Sequence, residues 1–268
     1  MAGPLAGGSR AGGAPARDLA LVMPMAGRGS RFRVGGQPTP KPLIELAGRP
    51  FFAWAADSVL RAAAVRELVF VVLEEHVAEF DVARRVTAVY PEARVVAIPE
   101  VTAGAAETAA VGVAALETPG PFAVNDCDHA FDAGDLTGLV ARLGPAPSDA
   151  AGALVGFRSA SPAYSYVRFG ADGRVAGTVE KEVASPFAIA GCYLFADPGR
   201  FADQFARYRA TCPYGELFLS GVYNTVLADG GAVLFHELAR HVSFGTPEEL
   251  ARVPEGALDF LGAAPTPR

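Results

Sequence analysis

The sequence predicts an α/β protein built on a doubly wound, mostly parallel sheet, with a mixed-sheet second lobe. Three observations carry this. Short aliphatic runs alternate with stretches of helical period about four times between residues 19 and 124. The first run ends abruptly in a glycine turn, as the first strand of such a sheet does. From residue 151 the rhythm changes to short strand runs joined by tight turns, which fits antiparallel or mixed pairing.

Leu19–Met23 reads as a buried parallel strand, followed by the turn Gly27–Arg31 and a loop over 33–40 rich in Gly and Pro. Pro50 opens a helix with Phe52, Ala55, Val59 and Ala62 on one face. Glu67–Leu73 is a second strand, Glu74–Tyr90 one helix stopped by Pro91, and Arg94–Ile98 a third strand. Gly104 starts an alanine-rich helix reaching about Leu116, and Pro121–Val124 is a fourth strand. In the second half, Ala151–Phe157, Ser165–Phe169, Arg174–Glu180 and Ala188–Phe195 are strands, with Ala171-Asp-Gly173 a turn. Gly199–Tyr208 and Leu217–Leu227 read as helices, and Ala232–Leu238 as a last strand. Thr246–Arg252 reads as a last helix with Thr246 as N-cap and Glu249 at the capping-box position. Residues 1–17 read as a disordered leader and 256–268 as a tail. Between them, 18–255 form a single domain with an N-terminal half (18–150) and a C-terminal half (151–255).

Composition narrows the function. Hydrophobic residues make up 51% of 268, enough for a sizeable core, and the net charge of −6 argues against a general nucleic-acid binder. A local basic pocket in an acidic protein suits a small anionic substrate. Cys127, Cys192 and Cys212 lack metal-type spacing and read as reduced thiols of a cytoplasmic protein. No apolar run approaches the ~20 residues of a membrane span. A homo-oligomer is compatible with the sequence.

Two stretches carry chemistry. The turn after the first strand supplies glycines that let a backbone approach a ligand, with Arg28, Arg31 and Lys41 close behind; arginine grips phosphate bidentately and lysine as a point charge. The second is Asp126-Cys-Asp128 at the end of the fourth strand. Two carboxylates so close repel unless a cation or proton lies between them, and oxygen ligands beside a phosphate point to Mg²⁺. The next residue, His129, reads as a structural or supporting group rather than a ligand. Lys181, between Glu180 and Glu182, suits a second phosphate and equally suits a solvated hairpin edge; Glu216 stands just before a helix, where a carboxylate also favours the N-terminus.

Taken in order, Met23-Pro-Met-Ala-Gly-Arg-Gly-Ser-Arg-Phe32 and Pro40-Lys-Pro-Leu-Ile44 resemble the signature of the sugar-1-phosphate nucleotidyltransferases, the NDP-sugar pyrophosphorylases, especially the bacterial branch of capsule and surface-sugar pathways. Weaker matches follow at Thr102–Thr108, Asn125–Asp128, Glu180-Lys181, Ala190–Phe195, Glu216 with Val222-Tyr-Asn224, and Gly245–Leu250, so the resemblance spans about 19–252. It implies a Rossmann-like nucleotide-diphospho-sugar transferase fold and a Mg²⁺-dependent transfer of NMP from an NTP to a sugar 1-phosphate, releasing pyrophosphate. It places Met25, Ala26, Gly27, Gly29, Ser30 and Arg31 around the triphosphate. Gly104 and Ala106 lie against the base, and Lys41 bridges the α-phosphate and the incoming phosphate. Asp128, helped by Asp126, holds the metal; Glu180, Lys181 and Glu216 hold the acceptor. Arg31, Lys41 and Asp128 are the catalytic set. One departure stands out: many relatives carry a metal-binding aspartate where this chain has Ser243. A cytidylyltransferase acting on a non-sugar phosphate or phosphonate is an alternative, as is a non-catalytic nucleotide- or sugar-sensing protein. A glycosyltransferase with an Asp-x-Asp site is disfavoured, because the front motifs suit an unreacted triphosphate.

Overall fold

The aliphatic run at the start becomes β1 (Leu19–Pro24), whose first five side chains are all buried. A computed structural model describes residues 18–144 and 150–262; the expected leader, 1–17, lies outside the described residues. After β1 come a short helix α1 (Ser30–Val34) and the hairpin β2 (Glu45–Leu46) and β3 (Arg49–Pro50). The helix α2 (Phe51–Ala62) follows directly from Pro50 as expected. Next are β4 (Val65–Leu73), α3 (Glu74–Phe80), α4 (Val82–Val89), β5 (Arg94–Ile98), α5 (Ala105–Ala114) and β6 (Phe122–Asn125). The chain continues through β7 (His129–Asp132), α6 (Thr137–Ala141), β8 (Gly152–Arg158), β9 (Ser165–Phe169), β10 (Val175–Glu180) and β11 (Phe187–Phe195). It closes with α7 (Pro198–Thr211), α8 (Leu219–Ala228), β12 (Val233–Glu237), β13 (Arg240–Ser243) and α9 (Pro247–Leu250).

Nine strands form one sheet whose main path runs β10-β9-β11-β6-β1-β4-β5, with β8 pairing β11 and β12. The N-terminal strands pair in parallel, β6-β1-β4-β5, and the crossover helices cover them. The C-terminal strand β11 joins this set antiparallel to β6, then carries β8 and β9 antiparallel on its other contacts. The doubly wound sheet and its mixed extension are therefore both present. Core residues of the two halves mix: Leu19, Phe52 and Phe70 share one apolar cluster with Ala153, Cys192 and Leu194. No helix among the described residues is long and apolar enough to cross a membrane.

Two expectations need revision, and one strand pair was not foreseen. The helix over 74–90 is two helices, because Asp81 sits at φ 55°, ψ 35° and stops the first; its carboxylate then binds the Arg84 side chain. The segment after Asp128 is a strand: β7 pairs antiparallel with β13, placing Ser243 opposite His129 and His241 opposite Phe131. The tail begins later than residue 256, since Leu258 and Leu261 are buried in a cluster with Phe32, Phe51 and Phe244; residues 263–268 lie outside the described set.

Candidate active site

The site lies beyond the carboxyl ends of β1 and β6, where ligands bind such sheets. Asn125, the last residue of β6, is fully buried and its side-chain amide donates to the Ala55 carbonyl at 3.0 Å. Past it, the Asp126 N–H donates to the Gly191 carbonyl at 2.9 Å, and the Asp128 carbonyl accepts from the Phe244 N–H at 3.0 Å. The Asp-x-Asp loop is thus held from both sides, by β11 and by the segment after β13.

Lys41 reaches this loop from the other sequence motif. It stands in a single 3-10 turn, Lys41–Leu43, between Pro40 and Pro42, and its Nζ lies 2.6 Å from Asp128 Oδ2. A contact this short is a charge-assisted hydrogen bond. Gly29, at φ 59°, brings the glycine loop against the same lysine: a Cβ there would stand 3.0 Å from Lys41 Cβ. Burial alone would depress the Lys41 ammonium, but Asp128, helped by Cys127 and Asp126, outweighs it and holds the group charged well above its usual range. Burial likewise works to raise Asp128, and Lys41, with smaller help from His129, overrides it and holds that carboxyl low. Asp126 lacks such a partner, and burial followed by the Asp128 charge pushes it up.

A cavity of about 220 Å³ opens here. Arg31, Asp126, Asp128, Glu180, Lys181 and Glu216 all line it, so six residues from four separated stretches of sequence meet at one place. Met25 and Ala26 are buried beneath the front loop, whereas Gly27 and Ser30 are exposed. Gly104 packs on the backbone of Leu217, where a Cβ would stand 2.5 Å from the Leu217 nitrogen, and Ala106 is fully buried. Between them, Ala105 faces the cavity. Lys181 holds a left-handed backbone at φ 55°, and its ammonium lies 5.3 Å from the Phe218 ring centroid. Glu180 accepts from the Ser220 hydroxyl on α8.

Several lining residues were not anticipated. The His129 ring is 6% exposed; its Nδ1 lies 3.3 Å from His241 Nε2, and its own Nε2 is buried with no hydrogen-bond partner. His241 is stacked on Phe157, with ring centroids 3.7 Å apart at 14°. Burial holds both imidazoles below their usual range, His241 the more strongly. Thr246 caps α9 as expected, accepting from the Glu249 N–H at 3.1 Å. Glu249, however, reaches one residue further back than a capping box, accepting from the Gly245 N–H at 3.0 Å and from the Tyr164 hydroxyl at 2.7 Å. That tie sets Gly245 against Asp128, where a Cβ would stand 2.4 Å from Asp128 Oδ2. A local capping signal was readable at Thr246 and Glu249. The His129–His241 contact spans 112 residues and leaves no local trace. Asp126, Asp128 and His129 together offer ligand atoms all within 4.8 Å of one another, a donor set that fits a divalent ion.

Comparison with known proteins agrees with this geometry. Residues 21–174 match the MobA-like NTP transferase domain. The chain is 31% identical over 235 residues to the bifunctional protein GlmU of Mycolicibacterium vanbaalenii, covering 84% of this chain and 46% of that protein. It therefore spans about half the length of that relative. Among solved structures, a nucleoside-diphosphate-sugar pyrophosphorylase from Vibrio cholerae RC9 superposes with a TM-score of 0.72 at 23% identity, covering 86% of this chain and 98% of its own. The inositol-1-phosphate CTP transferase from T. maritima gives 0.73 at 16% identity, with 94% and 99% covered. At these identities the structures speak for the fold.

Proposed function

The chain belongs to the MobA-like NTP transferase domain family, and from that premise we propose that it transfers a nucleoside monophosphate from an NTP to a sugar 1-phosphate, releasing pyrophosphate. The observation that carries the reading is the one cavity lined by Arg31, Asp126, Asp128 and Lys181, with Lys41 bound to Asp128 at its wall. A triphosphate and a phosphate monoester are both anionic, and a cavity that holds both cations and metal-binding carboxylates suits their meeting. The triphosphate lies along Gly27, Gly29 and Ser30, with Met25 and Ala26 supporting the loop from below and Arg31 on the β- and γ-phosphates. The base lies near Gly104–Ala106. Lys41 touches both the α-phosphate and the incoming phosphate. Glu180, Lys181 and Glu216 hold the acceptor.

An oxygen of the acceptor phosphate attacks the α-phosphorus. A new P–O bond forms there as the bond to the β-phosphate oxygen breaks, and pyrophosphate leaves in line. A phosphate monoester is already nucleophilic near neutral pH, so no residue is assigned as general base. Catalysis then rests on holding the two phosphates together and on neutralising charge at the α-phosphate. Asp126 and Asp128 would hold Mg²⁺, which when bound supplies positive charge to the phosphate oxygens. Free thiols at Cys127, Cys192 and Cys212 fit work in the reducing cytoplasm.

The test is a pyrophosphate-release screen of each NTP against sugar phosphates, polyol phosphates and amino-alcohol phosphates, with Mg²⁺ or Mn²⁺. One NTP with a sugar 1-phosphate should release pyrophosphate, and EDTA should abolish it. Release only with CTP and a non-sugar phosphate would replace this reading with the cytidylyltransferase one. Tight NTP binding without release across the panel would favour a sensor.

A further inference from the structure

We propose that His129 is a direct nitrogen ligand of the divalent ion, and that with Asp126 and Asp128 it makes a mixed nitrogen–oxygen centre that binds Mn²⁺ more tightly than Mg²⁺. The inference deepens the reading above and rests on its divalent-ion site. It starts from an unsatisfied atom. Buried imidazole nitrogens normally find a partner, yet His129 Nε2 is buried without one among the described residues. Ligand atoms of all three residues lie within 4.8 Å of one another, and Nε2 and Asp126 Oδ2 border the same small space above Gly191. Two ligands of one ion with bonds of about 2.1 Å stand at most about 4.2 Å apart, so a small side-chain adjustment closes the set.

The backbone keeps the place clear. Gly191, at φ 67°, lies within β11 beside it, where the strand's register shifts. A Cβ on residue 191 would stand 2.1 Å from His129 Cε1, 2.6 Å from its Nε2 and 2.8 Å from Asp126 Oδ2. The imidazole and the Asp126 carboxylate therefore approach each other over a residue that only glycine can fill.

The second ring fixes which nitrogen is available. For Nε2 to carry a free lone pair, the proton must sit on His129 Nδ1, which donates to His241 Nε2 at 3.3 Å. His241 is held for that role by its stack on Phe157. A metal-binding histidine commonly has its other nitrogen held in this way. Imidazole suits first-row transition ions, while Mg²⁺ prefers oxygen and retains its water.

The experiment uses the metal-stripped full chain, titrated with Mn²⁺ alone and in competition with Mg²⁺. Binding is followed by electron paramagnetic resonance, with electron spin-echo modulation to detect coordinated nitrogen. The wild type should show modulation from one directly bound ¹⁴N, replaced by the ¹⁵N pattern when histidine is labelled, and should bind Mn²⁺ at least about 10-fold more tightly than Mg²⁺. His129→Gln should lose the modulation and bind Mn²⁺ about 10-fold or more weakly, with little change for Mg²⁺. Gly191→Ala, which retains the histidine but crowds it, should weaken Mn²⁺ in the same way. Mn²⁺ bound by the wild type without nitrogen modulation, or not bound at all, overturns the proposal. That spectrum needs no variant to fold. Nitrogen modulation in a protein that releases no pyrophosphate would keep the ligand and remove the transferase reading. Metal-dependent release without it would do the reverse.

Discussion

Lys41 and Asp128 hold each other charged across 87 residues of sequence, and the pair stands about three-quarters shielded from solvent. A lysine in that position is committed to its carboxylate until a phosphate arrives to share it. In the mechanism proposed above, removing the ammonium takes a preorganised positive charge away from the α-phosphate. Lys41→Ala should therefore lower kcat for pyrophosphate release by about 10²–10³ or more, a loss typical of a single transition-state contact. It also leaves Asp126 and Asp128 facing each other without their cation. Added divalent ion should then raise the melting temperature of Lys41→Ala by more than that of the wild type, measured by calorimetry at one pH. An unchanged kcat would take Lys41 out of the mechanism. The Asp126–Asp128 pair was readable because, two residues apart in sequence, the carboxylates stay close whatever the fold, and like charges at that distance repel. The surroundings of His129 were not readable, because its unpaired nitrogen depends on Gly191 and His241, which only the folded chain brings beside it.

At the scale of elements, parallel strands such as β1 and β4 were legible as aliphatic runs, since burial on both faces removes polar residues from them. The β7–β13 pair was not. Each strand has four residues, and their partners are about 110 positions apart, so neither carries a period long enough to recognise. The break at Asp81 also escaped, because no glycine or asparagine marks that left-handed position. One connection fixes the far end of the parallel sheet. Glu67 on β4 accepts from the Glu117 N–H at 2.8 Å and the Thr118 N–H at 3.0 Å, tying the α5–β6 loop to its neighbouring strand. Burial works to raise this carboxyl, but the Glu117 and Thr118 donors and Arg66 outweigh it and hold the pKa low. A carboxyl whose folded pKa lies below its unfolded one adds stability above the ordinary carboxylate range, and that stability fades as pH falls through the folded value. Glu67→Gln should cost about 1–2 kcal/mol near neutral pH, from hydrogen bonds to a charged acceptor. The gap to the wild type should narrow as pH falls below the ordinary glutamate range. Urea unfolding at several pH values checks both. A gap that widens on acidification would mean that the carboxylate charge is not what binds the loop.

For the whole molecule, the arrangement of the sheet decides whether the two halves are domains or parts of one. The change of rhythm near residue 150 marks a division in the sequence, yet β11 from the second half pairs with β6 from the first over Cys192–Phe195 and Phe122–Asn125. The second large apolar cluster mixes them as well, with Ala20, Val22 and Phe122 packed alongside Tyr193, Phe201 and Tyr223. On the other side of the site, β13 returns to pair with β7. A fragment ending near residue 150 would expose one edge of β6 and the apolar surface that β8, β11, α7 and α8 cover. We propose that residues 18–255, with the packed Leu258–Leu261 turn, fold and unfold as one cooperative unit, with the site formed only when both halves are in place. Calorimetry of the full chain should give a single transition whose calorimetric and van't Hoff enthalpies agree. The fragment 1–150 should lack a cooperative transition and aggregate, as an exposed strand edge beside an uncovered apolar face does. Two resolved transitions, or a soluble N-terminal fragment that binds NTP, would show that the triphosphate half is a domain in its own right. The acceptor half would then be an addition to it.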